Sequence, residues 1–248
     1  MYNKIANFYD ELGWADNASL EAEIINNILV ENNVVPENYI DLGCGTGELI
    51  KVLSEVFDEV NYIGVDVSED MIGVAKKKLK DNKKAKFIVK DMRSVKLEKR
   101  AECISCMYDT INHLLIKEHW QETFNNVYEL LKYGGVFVMD YVPPKALKEW
   151  NGTYVMDDDT SCLVRKIVYD DKTNVLTTNI NAFVKANYFG TYRNIKEQAK
   201  ETSFEIKDVL KMLKIAGFKK VTMYDETFKK ISAGKASKAK RVYFGITK

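Results

Sequence analysis

Asp41-Leu42-Gly43-Cys44-Gly45-Thr46-Gly47 is the stretch from which the fold of this chain is read. It follows Val34-Val35-Pro36-Glu37-Asn38-Tyr39-Ile40, which ends as a short apolar strand, and it precedes an amphipathic helix over Glu48 to Val56. Glycines at alternate positions let the backbone turn sharply and let a ligand approach the main chain closely. Free amides at the start of the next helix favour a polar or anionic ligand group. The spacing is Gly-x-Gly-x-Gly, and Glu48 stands where a dinucleotide fingerprint would have its third glycine. No Gly-Lys-Ser/Thr follows, so this is not a nucleotide-triphosphate P-loop.

Further motifs follow in order. Val60-Asn61-Tyr62-Ile63-Gly64-Val65 reads as a second buried strand ending at Asp66. Ser68-Glu69-Asp70-Met71 opens a helix, with Ser68 as N-cap and acids in the first turn. Asp66 lies about twenty residues past the last glycine, where doubly wound folds place a carboxylate on ribose hydroxyls. A carboxylate suits that task because it accepts two hydrogen bonds from a vicinal diol. Ala85 to Lys90 is strand-like and leads into Asp91-Met92. Ala101 to Met107 makes a fourth strand, followed by Tyr108-Asp109-Thr110-Ile111-Asn112-His113-Leu114. Leu130-Leu131-Lys132-Tyr133-Gly134-Gly135 leads into a fifth strand that reaches Asp140, with Gly134 placed as a helix C-cap.

From Asp41 to Asp140 this series resembles the motifs of class I S-adenosylmethionine (SAM)-dependent methyltransferases, in particular the small-molecule branch. The resemblance implies an α/β, Rossmann-like fold. Its seven-stranded, mostly parallel sheet would run in the order 3-2-1-4-5-7-6, with the last strand antiparallel and helices on both faces. It implies SAM as cofactor and S-adenosylhomocysteine as product, with no metal. The implied cofactor contacts are Asp41, Gly43, Cys44, Gly45 and Gly47 in the loop, and Asp66, Val67 and Met71 at the ribose edge. Asp91 would bond the adenine amino group, Met92 would pack on the ring, and Met107 and Tyr108 would follow the fourth strand. The opening Tyr2-Asn3-Lys4-Ile5-Ala6-Asn7-Phe8-Tyr9-Asp10 also resembles related enzymes. Tyr2, Tyr9 and Trp14 are therefore candidates to cover the cofactor, since aromatic faces hold a sulfonium by cation–π attraction.

Composition bounds the alternatives. A chain of 248 residues with 46% hydrophobic content can bury a full core as one elaborated domain. A formal net charge of +1 points to neither nucleic acid nor membrane as partner. No apolar run is long enough to span a bilayer. Met1-Tyr2-Asn3-Lys4 lacks the apolar core of a signal peptide, so a cytoplasmic protein is expected, as monomer or homodimer. Cys103-x-x-Cys106 looks like half of a zinc site, but no second pair follows. In a strand, positions i and i+3 face opposite ways, so both cysteines read as reduced core residues.

Residues Tyr2 to Leu12 and Asn17 to Glu31 read as helices, and the Rossmann-like core runs from about Tyr39 to Val142. Pro143-Pro144 breaks the chain after the fifth strand, not after the fourth. That argues against the branches that use Asn/Asp-Pro-Pro-Tyr on planar amide or base nitrogens. Residues 151–200 read as an antiparallel β insertion, a substrate lid, between core segments 1–150 and 201–248. Leu163 to Tyr169, Val175 to Val184 and Tyr188 to Ile195 are its expected strands. Tyr154, Arg165, Tyr188, Tyr192 and Arg193 are its candidate substrate contacts. A helix from Glu205 to Ala216 capped by Gly217, and strands Lys220 to Tyr224 and Arg241 to Thr247, complete the core. The basic run from Lys229 to Arg241 reads as a solvated connection, since no aromatic residue is interleaved to stack on bases.

Methyl transfer needs an aligned nucleophile, excluded water and, for an amine, a proton acceptor. His113 is the candidate base, at the carboxyl edge of the fourth strand where ligands bind in open α/β sheets. Its segment resembles the position of a pocket histidine in amino-sugar N-methyltransferases. The plain alternative is a helix-start histidine bonded to the backbone. His119, next to Trp120 in a helical pattern, reads as structural. The function expected is methyl transfer to nitrogen or oxygen of a small molecule. An RNA or protein methyltransferase would need a basic groove or docking face, for which only the loop near Lys235 offers a hint. A non-catalytic SAM-binding protein is disfavoured by the intact ribose and adenine contacts. An NAD-dependent oxidoreductase is disfavoured by the glycine spacing and by Asp91-Met92.

Overall fold

The computed structural model describes residues 2–185 and 190–248, and Tyr188 lies outside them. Helix α1 (Ala18–Glu31) leads into β1 (Asn38–Leu42), α2 (Glu48–Val56), β2 (Asn61–Asp66), α3 (Glu69–Lys78) and β3 (Ala85–Val89). β4 (Ala101–Cys106), α4 (Lys117–Leu130), β5 (Leu131–Tyr141) and the short α5 (Pro144–Glu149) follow. Four strands come next: β6 (Gly152–Asp157), β7 (Ser161–Asp170), β8 (Val175–Lys185) and β9 (Tyr192–Thr202). Helix α6 (Ile206–Ala216), β10 (Lys220–Tyr224), α7 (Ala233–Ala236) and β11 (Val242–Thr247) come last.

The main sheet has seven strands in the order β10-β11-β5-β4-β1-β2-β3. β1 pairs in parallel with β2 and β4, β2 with β3, and β4 with β5. β11 is antiparallel to both β5 and β10. The chain leaves β1 towards β2 on one side and returns to β4 on the other, so a crevice opens at their carboxyl ends. Alternation along the strands feeds two cores, one on each face. Tyr39, Cys103 and Val138 pack with α1 and α2 through Ile25, Ile28, Ile50 and Leu53. Ile40, Ile104, Cys106 and Phe137 pack with α4 and α6 through Trp120, Phe124, Val209 and Leu213. Cys103 and Cys106 thus lie on opposite faces, as strand periodicity requires.

The insertion is a separate antiparallel sheet in the order β6-β7-β8-β9. The sequence reading missed β6, whose residues are mostly exposed and which pairs with β7 as an edge. The inner face of the insertion carries Leu163, Ile180, Ala182, Val184 and Ile195, which bury Ile5 and Leu12 of the N-terminal segment. That segment is not the expected helix over Tyr2 to Leu12. Only Ala6–Phe8 forms a 3-10 turn, and the rest is irregular. Tertiary contacts override propensity here: the Lys4 N–H donates to Glu197 at 2.9 Å, and Asp10 accepts from the Thr46 hydroxyl at 2.6 Å.

Gly134 is also not a helix C-cap. Helix α4 runs directly into β5, and Gly134 (φ +78°) sits where the β4–β5 register jumps from Ala101/Leu131 to Cys103/Val136. It relieves a bulge that takes up the extra residues. Gly217 does cap α6, in the left-handed region. Among the described residues, no helix is long and apolar enough to cross a membrane.

A candidate cofactor and substrate cavity

The glycine loop connects β1 to α2 by turning back against β2. The amides of Gly43 and Cys44 both donate to the Val65 carbonyl, at 2.7 and 3.1 Å. Gly43 has φ +75°, and a Cβ there would lie 2.3 Å from the Thr110 methyl. Gly47 (φ +76°) lies behind the loop, packed on Ala75, Leu79 and Phe87. Gly43 and Gly45 line the cavity and Gly47 does not. Gly47 lets α2 approach α3 and β3 closely.

Asp66 ends β2 with both oxygens holding backbone. Its Oδ2 accepts from the Gly45 N–H at 2.9 Å and its Oδ1 from the Ser68 N–H at 2.8 Å. The Ser68 hydroxyl caps α3 by accepting from the Met71 N–H. Asp91 holds Arg93 through both oxygens, and this guanidinium keeps its carboxyl below the usual carboxylate range. Asp41 is buried under the loop and accepts a hydroxyl bond from Ser105 at 2.5 Å. Burial pushes its carboxyl up to about 7, with the Ser105 bond opposing and Asp66 adding to the rise.

These groups border one cavity of about 900 Å³. Asp41, Cys44, Asp66, Val67, Met71, Asp91, Met92, Met107 and Tyr108 all line it, as do Tyr9 and Trp14. The N-terminal aromatics form a cluster over it: Tyr9 and Trp14 lie 5.1 Å apart between ring centroids, and Tyr2 lies 5.8 Å from each. Asp10 and Glu48 both pair with Lys78, at 2.5 and 2.6 Å, which ties this segment to α2 and α3.

The far end of the cavity is polar. His113 closes a 3-10 turn (Thr110–His113) after β4, edge-on to Tyr2 at 5.7 Å. Its Nδ1 lies 3.0 Å from the Lys200 carbonyl. A carbonyl can only accept, so Nδ1 carries hydrogen and neutral His113 keeps a lone pair on Nε2. The backbone bond of the plain alternative and a free basic nitrogen therefore coexist. Tyr108 (φ +60°) and Asp109 (φ +46°) are consecutive left-handed residues, a strained turn of the kind that clusters at functional sites. It is held by the Asp109 N–H donating to both Asp140 oxygens at 3.1 Å, and by Arg241, which pairs with Asp140 and with Asp109 at 2.7 Å.

Several of these residues were not singled out from the sequence. Arg241 sits at the end of a lysine-rich run that read as solvated, yet its guanidinium is inside, beside Asp109 and Asp140. Glu201, expected in the core just past the insertion, lies within β9 and is a buried cavity wall. Asp109 and Asp140 follow or end strands at the ligand edge of the sheet, and that position was the available signal. His119, read as structural, also lines the cavity. From the insertion, Tyr154 and Arg165 reach it, with the guanidinium 5.8 Å over the Tyr154 ring, whereas Tyr192 and Arg193 do not.

The methyltransferase domain family model matches residues 40–135. YqeM of Bacillus subtilis (strain 168) is 28% identical over 183 residues, 72% of each chain. The dTDP-3-amino-3,6-dideoxy-alpha-D-glucopyranose N,N-dimethyltransferase of Streptomyces fradiae is 28% identical over 113 residues, 45% of this chain and 42% of that one. An S-adenosylmethionine-dependent methyltransferase from Clostridium acetobutylicum ATCC 824 superposes with a TM-score of 0.86 and 26% identity, over 99% of this chain and 98% of that one. The open cradle at Gly45, where an added Cβ would meet nothing within 4 Å, and the carboxylates of Asp66 and Asp91 fit a nucleoside bearing a sulfonium amino acid. The methyltransferase domain match over residues 40–135, these relatives, the glycine loop and the sheet together support a class I S-adenosylmethionine-dependent methyltransferase.

Proposed function

We propose that this enzyme methylates a small molecule at nitrogen or oxygen, by in-line displacement at the His113 end of the cavity. The observation that carries this reading is continuity: one cavity runs from Gly45 and Asp66 to His113, walled by Tyr154, Arg165 and Ile180 of the insertion. Its volume of about 900 Å³ lies at the upper end of small-ligand sites, roughly 300–1,000 Å³. That leaves room for a second molecule beside a nucleoside-sized one. The Streptomyces fradiae relative, whose named substrate is an amino sugar nucleotide, supports a small-molecule acceptor.

Bound SAM supplies a methyl group on a positively charged sulfur. Asp66 would hold the ribose hydroxyls while holding the loop, Asp91 and Met92 would hold adenine, and Asp41 with the loop would hold the amino-acid end. Tyr9 and Trp14 offer ring faces to the sulfonium. His113 Nε2 accepts the proton lost by the acceptor, with Nδ1 held by the Lys200 carbonyl so that the ring keeps its orientation. The insertion and the N-terminal segment, packed on each other through Ile5, Leu12 and Leu163, act as the lid that excludes water.

The test is a screen of small amines, alcohols and thiols, with tRNA and protein acceptors alongside, followed by S-adenosylhomocysteine release. On an accepted small molecule, His113→Gln is expected to lower kcat roughly 100- to 10,000-fold and to leave cofactor affinity within about twofold. An unchanged kcat would remove His113 from the chemistry. Turnover only with tRNA or protein would overturn the substrate class.

A further inference from the structure

Glu201 lies near the end of β9, paired across the sheet with Leu176. It is 5% exposed, lines the cavity, and has one carboxylate oxygen that is buried without a partner. Asp109, His113 and Glu201 each place one ligand-capable atom within 4.8 Å of the others. Arg241 acts on Glu201 as a nearby charge but forms its ion pairs with Asp109 and Asp140, and it also serves Glu21, a further buried acid. Tyr2 and His113, edge-on to each other at 5.7 Å, line the same cavity, as does Arg165 on the insertion wall. An acid with an open oxygen, facing a cavity that also presents aromatic rings, is chemically complementary to a cation.

We propose that Glu201 and Asp109 seat the ammonium group of the acceptor, so that the substrate is a small primary or secondary amine and Glu201 is its first proton acceptor. This rests on the reading of the cavity as the methyl-transfer site. The step balances as follows. The ammonium gives one proton to the Glu201 carboxylate, which frees the nitrogen lone pair. That pair forms the new C–N bond as the C–S bond breaks, and its electrons stay on sulfur as neutral S-adenosylhomocysteine. The methylated nitrogen, now cationic, passes one N–H proton to His113 and leaves as the neutral amine. Burial, and then the neighbouring Asp109, push the Glu201 carboxyl up to about 9, so the site without substrate holds this acid protonated, and seating the ammonium displaces that proton to solvent and leaves the carboxylate that takes the next one.

The experiment loads the chain with S-adenosylhomocysteine and titrates matched probes that differ by one charged group. Cyclohexylamine is compared with cyclohexanol, and D-glucosamine with D-glucose. In the unaltered chain each amine is expected to bind at least tenfold tighter than its neutral partner. Glu201→Gln, which keeps the shape of a protonated Glu, is expected to bring the two within about threefold while S-adenosylhomocysteine affinity stays within twofold. The comparison in the unaltered chain stands even if the variant folds poorly. Amines that bind no tighter than the alcohols, failure of both to bind included, would overturn the proposal, as would selectivity that survives Glu201→Gln. Stoichiometric Mn²⁺ binding that excludes the amine would also overturn it, by making the seat one for an inorganic cation. Failure of S-adenosylhomocysteine itself to bind would instead strike at the proposed function.

Discussion

Asp66→Ala is the perturbation whose consequences are most fully determined by the structure. The Asp66 carboxylate has two tasks: its oxygens hold the amides of Gly45 and Ser68, at 2.9 and 2.8 Å, and it is the proposed ribose acceptor. Each charge-assisted bond is worth about 1.5–3 kcal/mol. The loop bonds act on stability and loop order as well as on binding, so a drop in SAM affinity alone cannot separate the two tasks. A double-mutant cycle can. Adenosine and 2′,3′-dideoxyadenosine are titrated calorimetrically into the unaltered chain and into Asp66→Ala. The ribose bond predicts that the unaltered chain prefers adenosine by about 1.5–3 kcal/mol, roughly 10- to 150-fold. The variant should show less than about a threefold preference, however weak both ligands have become. A variant that keeps the full preference for the diol would refute the ribose assignment and leave Asp66 a loop-holding residue only.

Gly43→Ala combines a left-handed conformation, costing about 1–2 kcal/mol, with a Cβ 2.3 Å from the Thr110 methyl, which adds about 1–3 kcal/mol of overpacking. Urea unfolding should show a loss of about 2–5 kcal/mol, with the packing part recovered by adding Thr110→Ala, and a loss under about 0.5 kcal/mol would contradict the geometry. Asp41 gives a pH signature without cofactor. Its carboxyl is raised to about 7 in the fold from the ordinary 3.8, so the folded state binds the proton more tightly and stability falls as pH rises between those values. Asp41→Asn, which still accepts from Ser105, should therefore gain roughly 2–3 kcal/mol on the unaltered chain between pH 5 and pH 8. A pH-independent difference between the two would show that Asp41 is not protonated by burial.

Much of this architecture is legible in local sequence because local physics fixes it. The apolar runs that end at Asp41, Asp66 and Cys106 are strands whose carboxyl ends carry the site, and the glycine spacing sets the loop that joins the first strand to its helix. What was illegible depends on partners distant in sequence. Arg241 is indistinguishable from its lysine neighbours until β11 pairs with β5 and brings it to Asp140. Glu201 becomes a cavity wall only because β9 folds over His113 through the Lys200 carbonyl. Tyr2 to Leu12 has helical spacing, yet the insertion sheet and Lys78 hold it in irregular turns. Gly134 looked like a helix cap, and only the β4–β5 register shows it to be part of a bulge.

The central claim is that the glycine-loop cavity holds a sulfonium nucleoside and not a dinucleotide. Calorimetric titration of the purified chain with SAM, S-adenosylhomocysteine and NAD tests it most directly. The account predicts that SAM and S-adenosylhomocysteine each bind one per chain with micromolar affinity and that NAD gives no heat. Saturable binding of NAD with no response to either sulfur nucleoside would contradict it.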